Sequence, residues 1–195
     1  AYPYAREAYD NRKFAFVTDI VRLYALYHEG GIYMDTDVEV LKPLDTFLKY
    51  DAVSGFESKT QIPTGLMACR EGHPLFKELL DEYEGIHFKQ TDGSLDFTTN
   101  VVRITNACLK YGLVPNNRFQ TVNGFTLFLK EYFCPKSYDD GKIYLTENTV
   151  AIHHFAGSWL TPKQKITERV VRMIGYDNFE TIVHLKKKLF SLFSK

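Results

Sequence analysis

The stretch FAFVTDIVRLYALYHEGGIYMDTDVEVLKPLD, residues 14–45, decides the reading of this chain. Phe14 to Glu29 runs without Gly or Pro and stops at Gly30-Gly31, the pattern of a helix closed by glycine. Ile32 to Val38 (IYMDTDV) is short and rich in β-formers, so it reads as a strand. The apolar residues ahead of Asp35 put the acidic pair at the C-terminal end of that strand, the usual crevice position in α/β folds. Lys42-Pro43 interrupts the extended run, and Asp45 is placed to cap a short helical turn over Thr46 to Tyr50.

Three constellations can carry chemistry. In Asp35-Thr36-Asp37 the two carboxylates lie on one face of an extended chain, where they repel and each resists ionisation. A hard divalent cation resolves that repulsion. Two solvated acids in a turn are the other reading that the tripeptide leaves open. In the preceding helix, Asp19 and Arg22 share a face. Their neighbours (Phe14, Phe16, Val17, Ile20, Val21, Leu23, Tyr24, Leu26 and Tyr27) are apolar nearly all round, which predicts a mostly buried helix with a narrow polar stripe. Buried charge is costly unless paired or used. The pair is therefore either an internal salt bridge or a contact for a polar ligand such as a sugar or ribose. The third is Ile152-His153-His154-Phe155-Ala156-Gly157-Ser158-Trp159. Adjacent histidines on a strand point to opposite faces, so one of the two at most is a ligand.

The rest of the chain supplies a scaffold. A lead-in helix is predicted within residues 1–13, strands over Ala52 to Phe56 and Gly65 to Cys69, and helices over His73 to Tyr83 and Asn100 to Tyr111. Phe119 to Phe133, Lys142 to Leu145 and Thr149 to Phe155 read as strands, with a turn at Asn123-Gly124. Pro162 to Met173 and Asn178 to the end read as helices. Short strands mixed with helices make this an α/β or α+β chain.

Composition narrows the class. At 195 residues one domain is the default, with 1–175 as the main body and 176–195 as a basic amphipathic helix. Lys plus Arg and Asp plus Glu are both 24, so the net charge is zero and a polyanion binder is disfavoured; no nucleic-acid partner is expected. With 45% apolar and 25% charged residues the chain is not disordered. Aromatic content of 15% suits a thick core or a carbohydrate-facing cleft. Cys69, Cys108 and Cys134 form no CxxC pair and read as reduced, buried thiols in a reducing, cytoplasmic setting. No apolar run reaches membrane-spanning length and no signal peptide opens the chain. It begins at Ala1 without Met, so a piece of a longer protein is expected.

Residues 14–45, with Asp19, Arg22 three later, Gly-Gly and then DxD, resemble the DxD-containing glycosyltransferases of family 32, and residues 147–159, ENTVAIHHFAGSW, resemble that family's closing motif. That family includes the yeast initiating mannosyltransferase and many bacterial capsular-polysaccharide transferases. The resemblance implies a GT-A-like fold, a mixed central sheet flanked by helices, with the N-terminal nucleotide-binding strand missing from this sequence. It implies a retaining, metal-dependent transfer of sugar from a UDP- or GDP-linked donor to a polysaccharide or lipid-linked glycan, in surface or capsular polysaccharide biosynthesis. Asp37 would bind Mn²⁺ or Mg²⁺ directly; Asp35 would contact the donor ribose and sugar, and the metal through water. Asp19 and Arg22 would hold donor sugar hydroxyls. His153, or failing that His154, would complete the metal site, and Ser158 and Trp159 would close over the diphosphate. No covalent nucleophile presents itself, which favours front-face substitution.

Two further readings compete with this one. DTDVE has the outline of a phosphatase nucleophile motif, but Glu39 stands where Thr or Val is needed. A non-catalytic nucleotide- or glycan-binding domain is the other alternative. The terminal LKKKLFSLFSK, residues 185–195, reads either as a peripheral anchor on the anionic cytoplasmic membrane face or as a terminal helix packed on the domain.

Overall fold

A computed structural model describes residues 2–138 and 140–157. These fall into two compact units, a larger one of residues 2–135 and 145–155 and a smaller one of residues 136–138, 140–144 and 156–157. The predicted helices beyond Pro162 lie outside the described residues, as do Ser158, Trp159 and the basic tail.

The larger unit opens with helix α1 (Pro3–Asp10) and helix α2 (Phe14–Glu29). Gly30 ends α2 at φ +67, a left-handed conformation in which a side chain is strained. Strands β1 (Gly31–Met34) and β2 (Val38–Val40) come next, then a 3-10 turn (Asp45–Phe47), β3 (Ala52–Gly55) and β4 (Leu66–Cys69). Helix α3 (Pro74–Glu82) starts at His73, whose Nδ1 accepts the Leu75 N–H, and helix α4 (Asn100–Lys110) succeeds it. The hairpin of β5 (Gln120–Val122) and β6 (Phe125–Phe128) turns on Asn123 and Gly124, both at positive φ. Helix α5 (Lys130–Phe133) and strand β7 (Ala151–His153) complete the unit.

The main sheet has the order β1-β4-β3-β6-β5; only β3 and β6 run parallel, so the sheet is mixed. A second, two-stranded antiparallel sheet pairs β2 with β7. One core cluster gathers Phe16, Leu23, Phe56, Phe76 and Phe88 with residues of α1 to α4; another, built on Phe47, Val53, Leu66, Phe133 and Ala151, carries α5 and β7. Many aromatics serve these cores: Tyr4 meets Tyr83 and Phe88 edge-on at 5.0 and 5.3 Å.

Several expectations need correcting. The segment 32–38 is not one strand, because the Asp35 carbonyl accepts the Val38 N–H at 3.0 Å and closes a turn around the acidic pair. Asp45 begins the 3-10 turn and caps nothing with its side chain. Residues 130–133 are helical rather than extended. Lys142 to Leu145 forms no strand; in the smaller unit a single bridge joins Lys136 to Ile143. Helix α2 is not buried all round, since Phe14, Val21 and Tyr24 are at least half exposed along one side.

Candidate active site

The site begins where α2 and β1 meet. Arg22 is buried, and its guanidinium holds three elements at once. Its Nη1 donates to the Thr64 carbonyl at 2.8 Å and lies 3.3 Å from Asp35 Oδ1, while Nη2 lies 3.4 Å from Asp19 Oδ1. The guanidinium also stacks over the Tyr33 ring at 4.9 Å. Planar, always charged and rich in donors, arginine suits this role as lysine would not.

Asp19 is 8% exposed. Its carboxylate accepts the Asn100 backbone N–H at 3.1 Å, and its carbonyl accepts the Asn100 side-chain amide at 2.7 Å. Burial pushes its carboxyl up to about 6, against the pull of Arg22. Asn100 in turn accepts the Tyr83 hydroxyl at 2.6 Å. Tyr33 donates its hydroxyl to Asp35 Oδ1 at 2.7 Å. Tyr33 and Asn100 escaped the sequence reading. Tyr33 had one available signal: on an extended chain it lies on the same face as Asp35.

Backbone pairing then brings the far end of the chain in. The Asp35 N–H donates to the Gly65 carbonyl at 2.7 Å, continuing the β1–β4 ladder. Val38 pairs with His153 in the β2–β7 register, and the His154 N–H donates to the Asp37 carbonyl at 3.0 Å. His153 Nε2 therefore lies 3.3 Å from Asp37 Oδ1 and 3.9 Å from Asp35 Oδ2. His154 points the other way, as alternation requires, and its Nε2 meets Glu39 Oε2 at 2.9 Å. His154, one of the two sequence candidates for a metal ligand, thus stands apart from the Asp35–Asp37–His153 group. The imidazole of His153 rests on Gly65, where a Cβ would come within 2.6 Å of it.

Asp35, Asp37 and His153 each offer one ligand atom, all within 4.8 Å of one another. Two carboxylate oxygens and one imidazole form a donor set that a divalent ion of the Mn²⁺ or Mg²⁺ kind accepts. Burial holds His153 below the usual imidazole range, against Asp37 and Asp35, which favours the neutral ring with a lone pair to give. Its buried Nδ1 has no hydrogen-bond partner. The residues fit a bound cation, which would neutralise two carboxylates that converge with one imidazole.

A mixed α/β domain with two carboxylates and an imidazole grouped at the end of an edge strand defines a candidate metal-binding domain, and comparison with known proteins narrows its class. Residues 1–54 match the family model described as glycosyltransferase sugar-binding region containing DXD motif. An 80-residue stretch is 34% identical to inositol phosphoceramide mannosyltransferase 3 of Schizosaccharomyces pombe, covering 40% of this chain and 22% of that protein. A 47-residue stretch is 43% identical to glucan organizing enzyme 1 of Cryptococcus neoformans, covering 24% of this chain and 13% of that protein. The matches thus span less than a quarter of these curated relatives. No solved structure matches. Residues 1–54 are thus similar to the DXD-containing sugar-binding region of glycosyltransferases, and part of the chain is similar to a mannosyltransferase.

Proposed function

We propose that this chain forms the core of a GT-A-like, metal-dependent, retaining glycosyltransferase that moves a sugar from a UDP- or GDP-linked donor to a glycan or lipid-linked acceptor. The observation that carries the reading is convergence: Asp19 and Arg22 from α2, Asp35 and Asp37 from the turn after β1, and His153 from β7 meet in one charged cluster. Asp35, Asp37 and His153 would hold Mn²⁺ or Mg²⁺. The ion, when bound, neutralises charge developing on the leaving diphosphate.

The side chains around it have their own tasks. Asp19 and Arg22 present a buried acceptor and a fan of donors, which suits the hydroxyls of a donor sugar. Arg22 also fixes Asp35 through direct contact, and Tyr33 holds the same carboxylate from the other side. Such prior fixing spares reorganisation during the reaction. The leaving diphosphate would take the acceptor proton in a front-face substitution. The fission-yeast relative's name describes mannosyl transfer to inositol phosphoceramide, which favours mannose and a lipid-linked acceptor over a capsular polysaccharide.

Cys69, Cys108 and Cys134 are free and buried, in keeping with a reducing, cytoplasmic setting. Among the described residues no helix is long and apolar enough to cross a membrane; the basic, apolar residues 185–195 suit peripheral contact with an anionic membrane face.

The test is a donor screen with UDP- and GDP-sugars plus Mn²⁺, read as nucleotide release by NMR. Asp35→Ala, Asp37→Ala and Arg22→Ala should each abolish transfer while circular dichroism stays native. Undiminished transfer by Asp37→Asn in the presence of Mn²⁺ refutes the reading.

A further inference from the structure

Glu57 is used by none of the chemistry above, yet it is 6% exposed. Among the described residues no hydrogen bond or ion pair reaches its carboxylate; its backbone N–H donates to the Gln61 carbonyl. A carboxyl placed this way destabilises a fold unless it serves something else.

Its place in the sheet says what it can serve. Ala52 pairs with Cys69 and Val53 with Ala68, so the Gly55 end of β3, two residues short of Glu57, runs toward the start of β4, where Thr64 and Gly65 precede Leu66. Thr64 is the residue whose carbonyl Arg22 holds, and the next residue, Gly65, carries the imidazole of His153 and accepts the Asp35 N–H. Glu57 therefore stands at the same end of the sheet as the acidic pair. It is one strand from β4 and two from β1, on the order of 10 Å from the latter at the usual strand spacing. Val53 of β3 packs in the cluster with Ala151 of β7, and Gly55 lies against Phe133 of the same cluster. Cys134, also of that cluster, feels the charge of Glu57. Glu57 and the strand bearing His153 thus share one side of the sheet.

We propose that Glu57 is an acceptor-binding residue, whose carboxyl holds a hydroxyl of the acceptor sugar beside the metal centre. This rests on the glycosyltransferase reading. The donor sugar has its polar partners on α2 and β1, two strands away. The second substrate must be held within a bond's reach of the first, and Glu57 is a buried carboxyl in that direction, attracted by Lys130 but hydrogen-bonded by no described residue. Burial raises its carboxyl to about 7, against the attraction of Lys130, so it can donate as well as accept near neutral pH.

The experiment uses the full chain with Mn²⁺, the donor found by the screen above, and methyl α-mannoside and methyl β-galactoside as acceptor probes. Glu57→Ala should raise the KM of the transferred-to glycoside at least tenfold and leave the donor KM within twofold. Glu57→Gln, which keeps hydrogen-bonding capacity, should recover most of the loss. Glu57→Leu should not lower Tm, because no described residue hydrogen-bonds the carboxyl that it replaces. An unchanged acceptor KM in Glu57→Ala overturns the proposal, as does a fall in Tm for Glu57→Leu, which would make Glu57 a structural partner of Lys130. A glycosyl adduct on Glu57 found by mass spectrometry overturns it too, in favour of a nucleophile. A wild-type chain that releases no nucleotide from any donor refutes the glycosyltransferase reading itself, and this inference with it.

Discussion

Gly65→Ala tests the site through a residue that supplies no ligand. The Gly65 φ is an ordinary one, so alanine meets no backbone strain there. The new Cβ, however, would lie 2.6 Å from both Nδ1 and Cε1 of His153. Ordinary contact begins near 3.4 Å, so the ring or the strand must yield by roughly 0.8 Å, whereas metal–ligand distances tolerate about 0.2 Å. The strand is poorly placed to yield. Gly65 accepts the Asp35 N–H at 2.7 Å, and its neighbour Thr64 accepts Arg22 at 2.8 Å, so moving it disturbs the other half of the site. The imidazole therefore moves, and Mn²⁺ affinity should fall about 10–100-fold, which is about 1.4–2.8 kcal/mol. The assay is a Mn²⁺ titration followed by electron paramagnetic resonance of the free ion, on wild type, Gly65→Ala, His153→Ala and the double variant. The double variant should bind no more weakly than His153→Ala, because both act on one ligand. A folded Gly65→Ala protein that binds Mn²⁺ within twofold of wild type refutes the argument.

Three other outcomes can be checked. Asp19 has its folded carboxyl raised to about 6, above the unfolded value near 3.9, so the unfolded chain ionises first and stability falls as pH rises between them. Urea denaturation of wild type and Asp19→Asn from pH 4 to 7 should show the variant losing less stability over that range, by on the order of 3 kcal/mol; parallel curves would show that Asp19 does not titrate there. Asn100→Ala strips the partner from both the Tyr83 hydroxyl and the Asp19 carbonyl in a buried setting, and should cost about 2–4 kcal/mol in urea unfolding; a loss under about 1 kcal/mol contradicts the network. Deleting residues 185–195 should reduce co-sedimentation with phosphatidylserine vesicles at low salt, and equal pelleting of both forms would dismiss the tail as an anchor.

The parts of this protein set by local chemistry were open to inspection in the one-dimensional chain. Helix α2 arises from sixteen residues without a breaker and a glycine that can adopt φ +67. The hairpin at Asn123-Gly124 arises from two residues that tolerate positive φ. Asp19 with Arg22, and Asp35 with Asp37, are near neighbours whose shared face is fixed by helix or extended geometry. Local patterning misled where a backbone hydrogen bond competed with it: β-formers predicted an unbroken strand through the acidic pair, and the Asp35–Val38 turn broke it.

Tertiary structure alone decided which distant groups meet. Nothing periodic in the chain distinguishes His153 from His154; the pairing of Val38 with His153 made the choice by aiming one imidazole at Asp37 and the other at Glu39. Likewise Asn100 reads as an ordinary helix residue until α4 packs its first turn on Asp19, and Gly65 as an ordinary strand start until an imidazole lies on it. Only the fold leaves Glu57 at 6% exposure. Local propensity acts over a few residues of chain, whereas burial and ligand geometry are properties of space, and only the folded sheet converts one into the other.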